Sequence, residues 1–187
     1  TQRCNHACLH CYNVWQPVGA EYPRGELDTA ETLALLDKAL DETDCRHVTL
    51  TGGEPLLRHD LTAILDRLRE RGVPATIISN GRLLTEPIVV DLLERGVGLF
   101  ELPLLSHRRE VHDRLSGAPG AFDAALAAMA AIRYHRGQCV AVFVATRLNL
   151  PDLHSAIKLA FAFGARAVML NRFNPGGRGR LHIDELL

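Results

Sequence analysis

Three cysteines near the start of the chain, Cys4, Cys8 and Cys11, lie in the stretch CNHACLHC at the spacing C-x3-C-x2-C. Thiolates so spaced on one loop can close around a single inorganic centre. Iron–sulfur clusters are commonly held by thiolates, usually four, so three leave one iron free to bind something else. Zinc fits as well, because Cys3His sites exist and His6 and His10 stand in the same stretch. This stretch alone leaves the two chemistries evenly matched. Three unligated core thiols fit worst, because Asn5, His6 and His10 are poor core neighbours.

The chain has five cysteines, an odd count that argues against a disulfide framework and for a reducing compartment, the cytoplasm. Cys45 precedes the first expected strand and Cys139 begins the fourth. In a parallel α/β barrel, strand starts lie at the face opposite the active site. Neither cysteine is then a fourth ligand, and each is expected as a small buried apolar residue.

The elements that must position the thiols alternate. Segments 47–51, 75–79, 99–105, 139–146 and 167–172 are short, apolar and without polar alternation, as strands buried on both faces are. Amphipathic helices are expected between them. The first starts at Asp28 with Glu31 as a capping box and a Leu33, Leu36, Leu40 stripe. The second starts near Asp60, turns Leu61, Ile64, Leu65 and Leu68 inward, and stops at Gly72. The third starts near Thr85, with Pro87 in its first turn, and ends at Gly96. The fourth covers about 122–136 with Leu126, Met129 and Ile132 inward; the fifth follows Pro151 and ends at Gly164. Repeated strand–helix units imply right-handed crossovers and a parallel sheet, open or curled into a barrel.

The strand ends converge on polar and glycine residues: TGGEP at 51–55, SNG at 79–81, Ser106 after the third strand, Asn149 after the fourth, and Asn171, Arg172 and Asn174 at the fifth. SNG alone is ordinary turn chemistry. Five such ends at one face of a parallel barrel read as a shared site.

Composition narrows the partners. Of 187 residues 47% are apolar and 23% charged, with a net charge of −1, so nothing marks a nucleic-acid or anionic-membrane surface. Apolar runs such as Cys139–Ala145 are far too short to span a bilayer. The chain opens three residues before Cys4 and reads as an excerpt of a longer protein, with 174–180 (NPGGRGR) as a loop leading out of the domain.

CNHACLHC followed some forty residues later by TGGEP resembles the radical S-adenosylmethionine (SAM) superfamily over the whole chain. The resemblance implies a partial (β/α)6 TIM-like barrel whose first strand is largely missing here. It implies a [4Fe-4S] cluster on Cys4, Cys8 and Cys11, with SAM chelated by the open iron. One-electron reduction, by a donor such as flavodoxin or ferredoxin, then gives a 5′-deoxyadenosyl radical that takes hydrogen from substrate. It further implies that the backbone of Gly52, Gly53 and Glu54 holds the SAM amino group and that His10 lies near adenine. Ser79 and Asn80 would face the ribose or methionine portion, and Leu170 would line the adenine pocket. One departure stands out: Pro103 occupies the position where the family's SAM-contacting serine falls, and Ser106 is the nearest substitute. HCYNVW and NPGGRG look SPASM-like, which implies a peptide- or protein-modifying maturase. The alternatives are a cofactor-biosynthesis enzyme acting on a small molecule, which needs basic residues such as Arg172 and Arg147 inside the barrel, and a non-catalytic zinc scaffold.

The remaining residues carry plainer expectations. Arg172 is the best substrate contact. His107, Arg108 and Arg109 form a solvated loop, and His112, Asp113 and Arg114 precede or open a helix with local hydrogen bonds. Met129 and Met169 fill core, Trp15 and Tyr12 shield the metal centre or touch substrate, and Arg178 and Arg180 are exposed.

Overall fold

The computed structural model describes residues 1–13 and 25–187, so Trp15 falls outside the described residues. Five parallel strands form one sheet in sequence order: β1 (Val48–Leu50), β2 (Ala75–Ile78), β3 (Val97–Pro103), β4 (Cys139–Ala145) and β5 (Ala167–Arg172). A parallel neighbour requires a crossover, and helices supply it. α1 (Thr29–Glu42) precedes β1; between the strands run α2 (Leu61–Glu70), α3 (Glu86–Glu94), α4 (Arg109–Ser116), α5 (Ala121–Tyr134) and α6 (Leu153–Ala162), and α7 (Ile183–Leu186) follows β5.

The sequence signals act where expected. Asp28 and Glu31 form the capping box of α1, and Pro87 sits in the first turn of α3. The strand pleat divides two environments. Ala75, Ile77, Phe100, Leu102, Ala141 and Cys139 face the helices and, with Leu65, Leu68 and Met129, make the main core. The alternate residues of β3 and β4 face the interior of the curved sheet. No single helix among the described residues is long and apolar enough to cross a membrane.

Four expectations need correction. His112, Asp113 and Arg114 do open a helix, as one of the two alternatives has it, but that helix, α4, is a separate element missing from the five expected ones. Its buried face is His112, Leu115 and Ser116, two of them polar, so no apolar stripe announces it. Second, residues 174–180 do not lead away. They turn back against the cysteine loop, and Leu186 enters a second core cluster with Leu105, Leu115 and Phe173, against which Leu9 packs. Third, Cys45 is half-buried with its thiol on the His47 carbonyl, because β1 is a short edge strand; Cys139 is buried as expected. Fourth, Met169 is 40% exposed on β5, the other edge strand, and is not core filler.

His112 shows why α4 is held tightly. Its Nδ1 accepts the Leu105 N–H at 3.1 Å, and its ring meets Phe122 edge-on at 5.7 Å. Burial holds its pKa down to about 4, against 6.5 for a free imidazole. The folded chain therefore binds fewer protons than the unfolded one, and stability present above pH 6.5 is lost as pH falls toward 4. At pH 5 His112 alone accounts for about 2 kcal/mol of that loss. His112→Asn keeps an acceptor for Leu105 and removes the titration. Urea unfolding of the cluster-free chain at pH 7 and pH 5 checks this: the variant should lose less stability between the two, and equal losses would refute the assignment.

Candidate active site

Residues 4–13 form neither helix nor strand, yet they cross the C-terminal ends of the sheet and make one wall of a cavity of about 470 Å3. Cys8, His10, Cys11, Tyr12 and Asn13 lie on that wall. Thr51, Gly52, Gly53, Ser79 and Asn80 form the next, from the loops after β1 and β2. Ile78, Glu101, Pro103, Val142 and Val144 are the floor, and Asn171, Arg172 and Asn174 the far rim.

An irregular loop has few hydrogen bonds of its own, so others must hold it. Gly53 N–H donates to the Thr1 carbonyl and Glu54 N–H to the Arg3 carbonyl, both at 2.8 Å. A Cβ on Gly53 would stand 2.1 Å from the Arg3 oxygen, so this approach needs glycine. Leu9 N–H donates to the Leu115 carbonyl at 2.9 Å, and Gly179 N–H to the Cys11 carbonyl at 3.0 Å. Gly177, at φ +47°, presses so close that a Cβ would lie 2.4 Å from the Asn13 oxygen.

Glu54 is fully buried and points into the protein. Its carboxylate accepts from Ser79 Oγ at 2.9 Å, Asn80 N–H at 2.8 Å and Leu56 N–H at 3.2 Å. Burial nonetheless pushes its pKa up. Glu54 thus ties the loop after β1 to the loop after β2. The N–H groups of Gly53 and Glu54 being taken, the TGGEP backbone has carbonyl oxygens to offer an ammonium group. Gly52 O already accepts from Asn13 Nδ2 at 2.7 Å and keeps a second lone pair.

Around the thiols, Cys4 Sγ receives His6 N–H at 3.5 Å and Asn80 Nδ2 at 3.9 Å. Burial pushes the Cys8 thiol up to about 12, with Cys11 and Cys4 adding to it and the Arg178 guanidinium opposing. Burial also raises Cys4. Three thiolates crowded in a partly desolvated loop disfavour one another, which a cationic centre between them would reverse. Among the described residues no three His, Cys, Asp or Glu converge on a single-ion position. His10 lines the cavity, and burial holds its imidazole down at about 4.

The other expected site residues divide. Ser79 and Asn80 reach the cavity, but their polar groups are engaged: Ser79 with Glu54, Asn80 with Asn5 at 2.7 Å and with Cys4. Ser106 does not reach it. Its hydroxyl is buried and donates to Asp152 at 2.6 Å, fastening the loop after β3 to the start of α6. Leu170 does not reach it either, because it pairs with Phe143 on the helix-facing side of the pleat while Val142 and Val144 face inward. Arg172 is at the rim, whereas Arg147 turns away to the Asp184 carbonyl at 3.0 Å. Arg108 pairs with Asp152 and Arg109 with Asp123, so this stretch is not merely a solvated loop. Arg178 is half-buried rather than exposed.

Two features escaped the sequence reading. Glu101 lies on the cavity floor, and strand parity with Pro103 and Leu105 was a signal that could have found it. The contact of Gly177 and Gly179 with the cysteine loop had no such signal, because Gly-rich segments also serve as linkers.

The chain is similar to known proteins. It is 31% identical over 178 residues, 95% of its length, to the AdoMet-dependent heme synthase of Oleidesulfovibrio alaskensis, covering 45% of that protein. It is 30% identical over its whole length to the PqqA peptide cyclase of Granulibacter bethesdensis, covering 49% of it. The chain thus spans about half the length of the curated relatives it matches. Among solved structures, SuiB of Streptococcus suis bound to its precursor peptide SuiA superposes with a TM-score of 0.78 at 17% identity, over 94% of this chain and 38% of that one. The anSMEcpe enzyme with bound AdoMet and a peptide gives 0.76 at 16%, over 93% and 49%. These likenesses establish the expected partial-barrel fold. Residues 1–160 match the model of the radical SAM superfamily, and the chain belongs to that enzyme superfamily, whose cofactors are a [4Fe-4S] cluster and SAM.

Proposed function

We propose that this chain is the core of a radical SAM enzyme that modifies a peptide or protein side chain. The observation that carries it is the three-cysteine loop fastened over a cavity at the C-terminal ends of a parallel sheet. The donor set suits the cluster. Cys4, Cys8 and Cys11 supply three thiolates, N–H groups of His6 and Asn80 point at the Cys4 sulfur, and Cys8 and Cys11 border the cavity. When bound, the reduced cluster supplies the electron that cleaves SAM and so furnishes the 5′-deoxyadenosyl radical.

This chain's residues bind and exclude. Gly52 and Gly53 offer carbonyls to the SAM ammonium, and His10 offers an uncharged ring for adenine to lie against. Ile78, Val142 and Val144 keep the floor apolar, which protects a radical from side reactions with polar groups and water. Arg172 at the rim takes a carbonyl or carboxylate of substrate. An external one-electron donor of the flavodoxin or ferredoxin type is required, and a reducing compartment, the cytoplasm, suits the cluster. SPASM-like auxiliary clusters would belong to sequence outside these residues.

A small-molecule reading is favoured by the likeness to heme synthases, including 37% identity over 126 residues, 67% of this chain, to the Fe-coproporphyrin III synthase of Methanosarcina barkeri. Against it, Arg172 is the only Lys or Arg among the described residues on the cavity, and a poly-carboxylate substrate needs several cations. A zinc scaffold leaves the cavity and the TGGEP loop without a role.

Anaerobic reconstitution tests the main reading. A brown protein with about four irons per chain, cleaving SAM to 5′-deoxyadenosine when reduced with dithionite, is expected. A colourless protein holding one zinc and never cleaving SAM would overturn it. Cys8→Ala should abolish cluster binding while Cys45→Ala retains it; iron analysis that finds equal loss refutes the ligand assignment. Gly177→Ala should lose cluster iron to a chelator several-fold faster than wild type, because the added methyl pushes Asn13 and the loop behind it. Unchanged chelation kinetics would mean that this contact does not support the cluster.

A further inference from the structure

Glu101 is a carboxylate that nothing in the site so far uses. It points into the cavity from β3, level with Ile78 of β2 and Val140 of β4. It is the only carboxylate among the described residues lining that cavity, as Arg172 is the only guanidinium. Ile78 and Val140 flank it across the sheet, and Pro103, Val142 and Val144 continue the cavity lining toward the mouth. Its backbone carbonyl accepts from Ser79 N–H, but among the described residues its side chain has no hydrogen bond or ion pair. Half-buried beside apolar walls, it gives up part of its hydration and gains no protein partner in return. A leucine or valine there would continue the apolar floor, so the residue type calls for a ligand group that repays the cost.

We propose that Glu101 reads the substrate, pairing with the basic side chain, lysine or arginine, of a peptide whose backbone lies at the cavity mouth. This rests on the peptide reading above. Three features select a basic side chain. Charge-assisted hydrogen bonds to a carboxylate are about twice as strong as neutral ones, so a cation gains most. Glu101 lies one pleat step below Pro103 and two below Leu105, so a long side chain reaches it and a short one does not. A lysine or arginine stem is apolar along most of its length and suits the Val142 and Val144 wall on the way down. Arg172 at the opposite rim then has a peptide carbonyl within its range of chemistry. The same carboxylate repels substrates whose polar groups are acids.

The test uses the full-length protein loaded with cluster and SAM, and three blocked heptapeptide probes, glycine except for a central lysine, norleucine or glutamate. Binding is measured by anaerobic equilibrium dialysis. The wild type should bind the lysine probe about tenfold more tightly than the norleucine probe, the worth of one charge-assisted pair. Glu101→Gln, nearly isosteric, should erase that preference while leaving SAM affinity unchanged. Glu101→Lys should favour the glutamate probe. A lysine preference that survives Glu101→Gln overturns the proposal and leaves the peptide reading standing. Weakened SAM binding in Glu101→Gln also overturns it, because the carboxylate would then serve the cofactor's hydroxyls. If no probe binds while Fe-coproporphyrin does, the peptide reading fails and this inference fails with it.

Discussion

Everything in this site depends on fixing a loop that cannot fix itself. Residues 4–13 carry the thiols but form no regular element, so conformational entropy opposes any one arrangement of the three sulfurs. The fold answers with backbone contacts from three directions: Gly53 after β1, the end of α4, and Gly179 after β5. Backbone is the stiffest material available, and it comes close only where side chains are absent. Glycines near the cysteine loop therefore help decide how firmly the three sulfurs are held.

The supports are coupled. Leu9 packs into the cluster of Leu105, Leu115, Phe173 and Leu186, which joins the loop to β3's exit, α4 and the last turn of the chain. Glu54 joins the same region to β2 through Ser79 and Asn80, and Asn80 reaches on to Asn5 and Cys4. A buried carboxylate satisfied by three donors is costly to disturb, since removing any one donor leaves charge unpaired in low dielectric. The resemblance assigns only the backbone of Glu54 a role, whereas its side chain holds two loops in register.

What the sequence made legible followed from periodicity and punctuation. Continuous apolar runs gave five parallel strands, and caps and terminal glycines gave the helices between them. The cysteine spacing and TGGEP pointed to one face. Legibility failed where parity or polarity hid the answer. The family resemblance carries Leu170 and Ser106 to the SAM site, Ser106 as a substitute for a serine replaced by Pro103, and the pleat and Asp152 turn them elsewhere. α4 was hidden because it buries a histidine and a serine. The NPGGRGR turn was hidden because glycine for close approach and glycine for flexibility are the same letter.

The cavity's own chemistry follows from its division of labour. Its cofactor wall is crowded with groups already engaged: Asn13, Ser79 and Asn80 each spend a polar atom on the protein. Groups fixed in that way cannot adapt, which suits a cofactor of invariant shape. Across the cavity, no hydrogen bond among the described residues claims the side chains of Glu101, Asn171, Arg172 or Asn174. Unengaged groups at the strand ends are open to an incoming partner, so on the proposed peptide reading discrimination between substrates falls to the β3–β5 side. A chain that changed its substrate while keeping its cofactor would change these four residues first, and leave the cysteine loop and its glycine supports as they are.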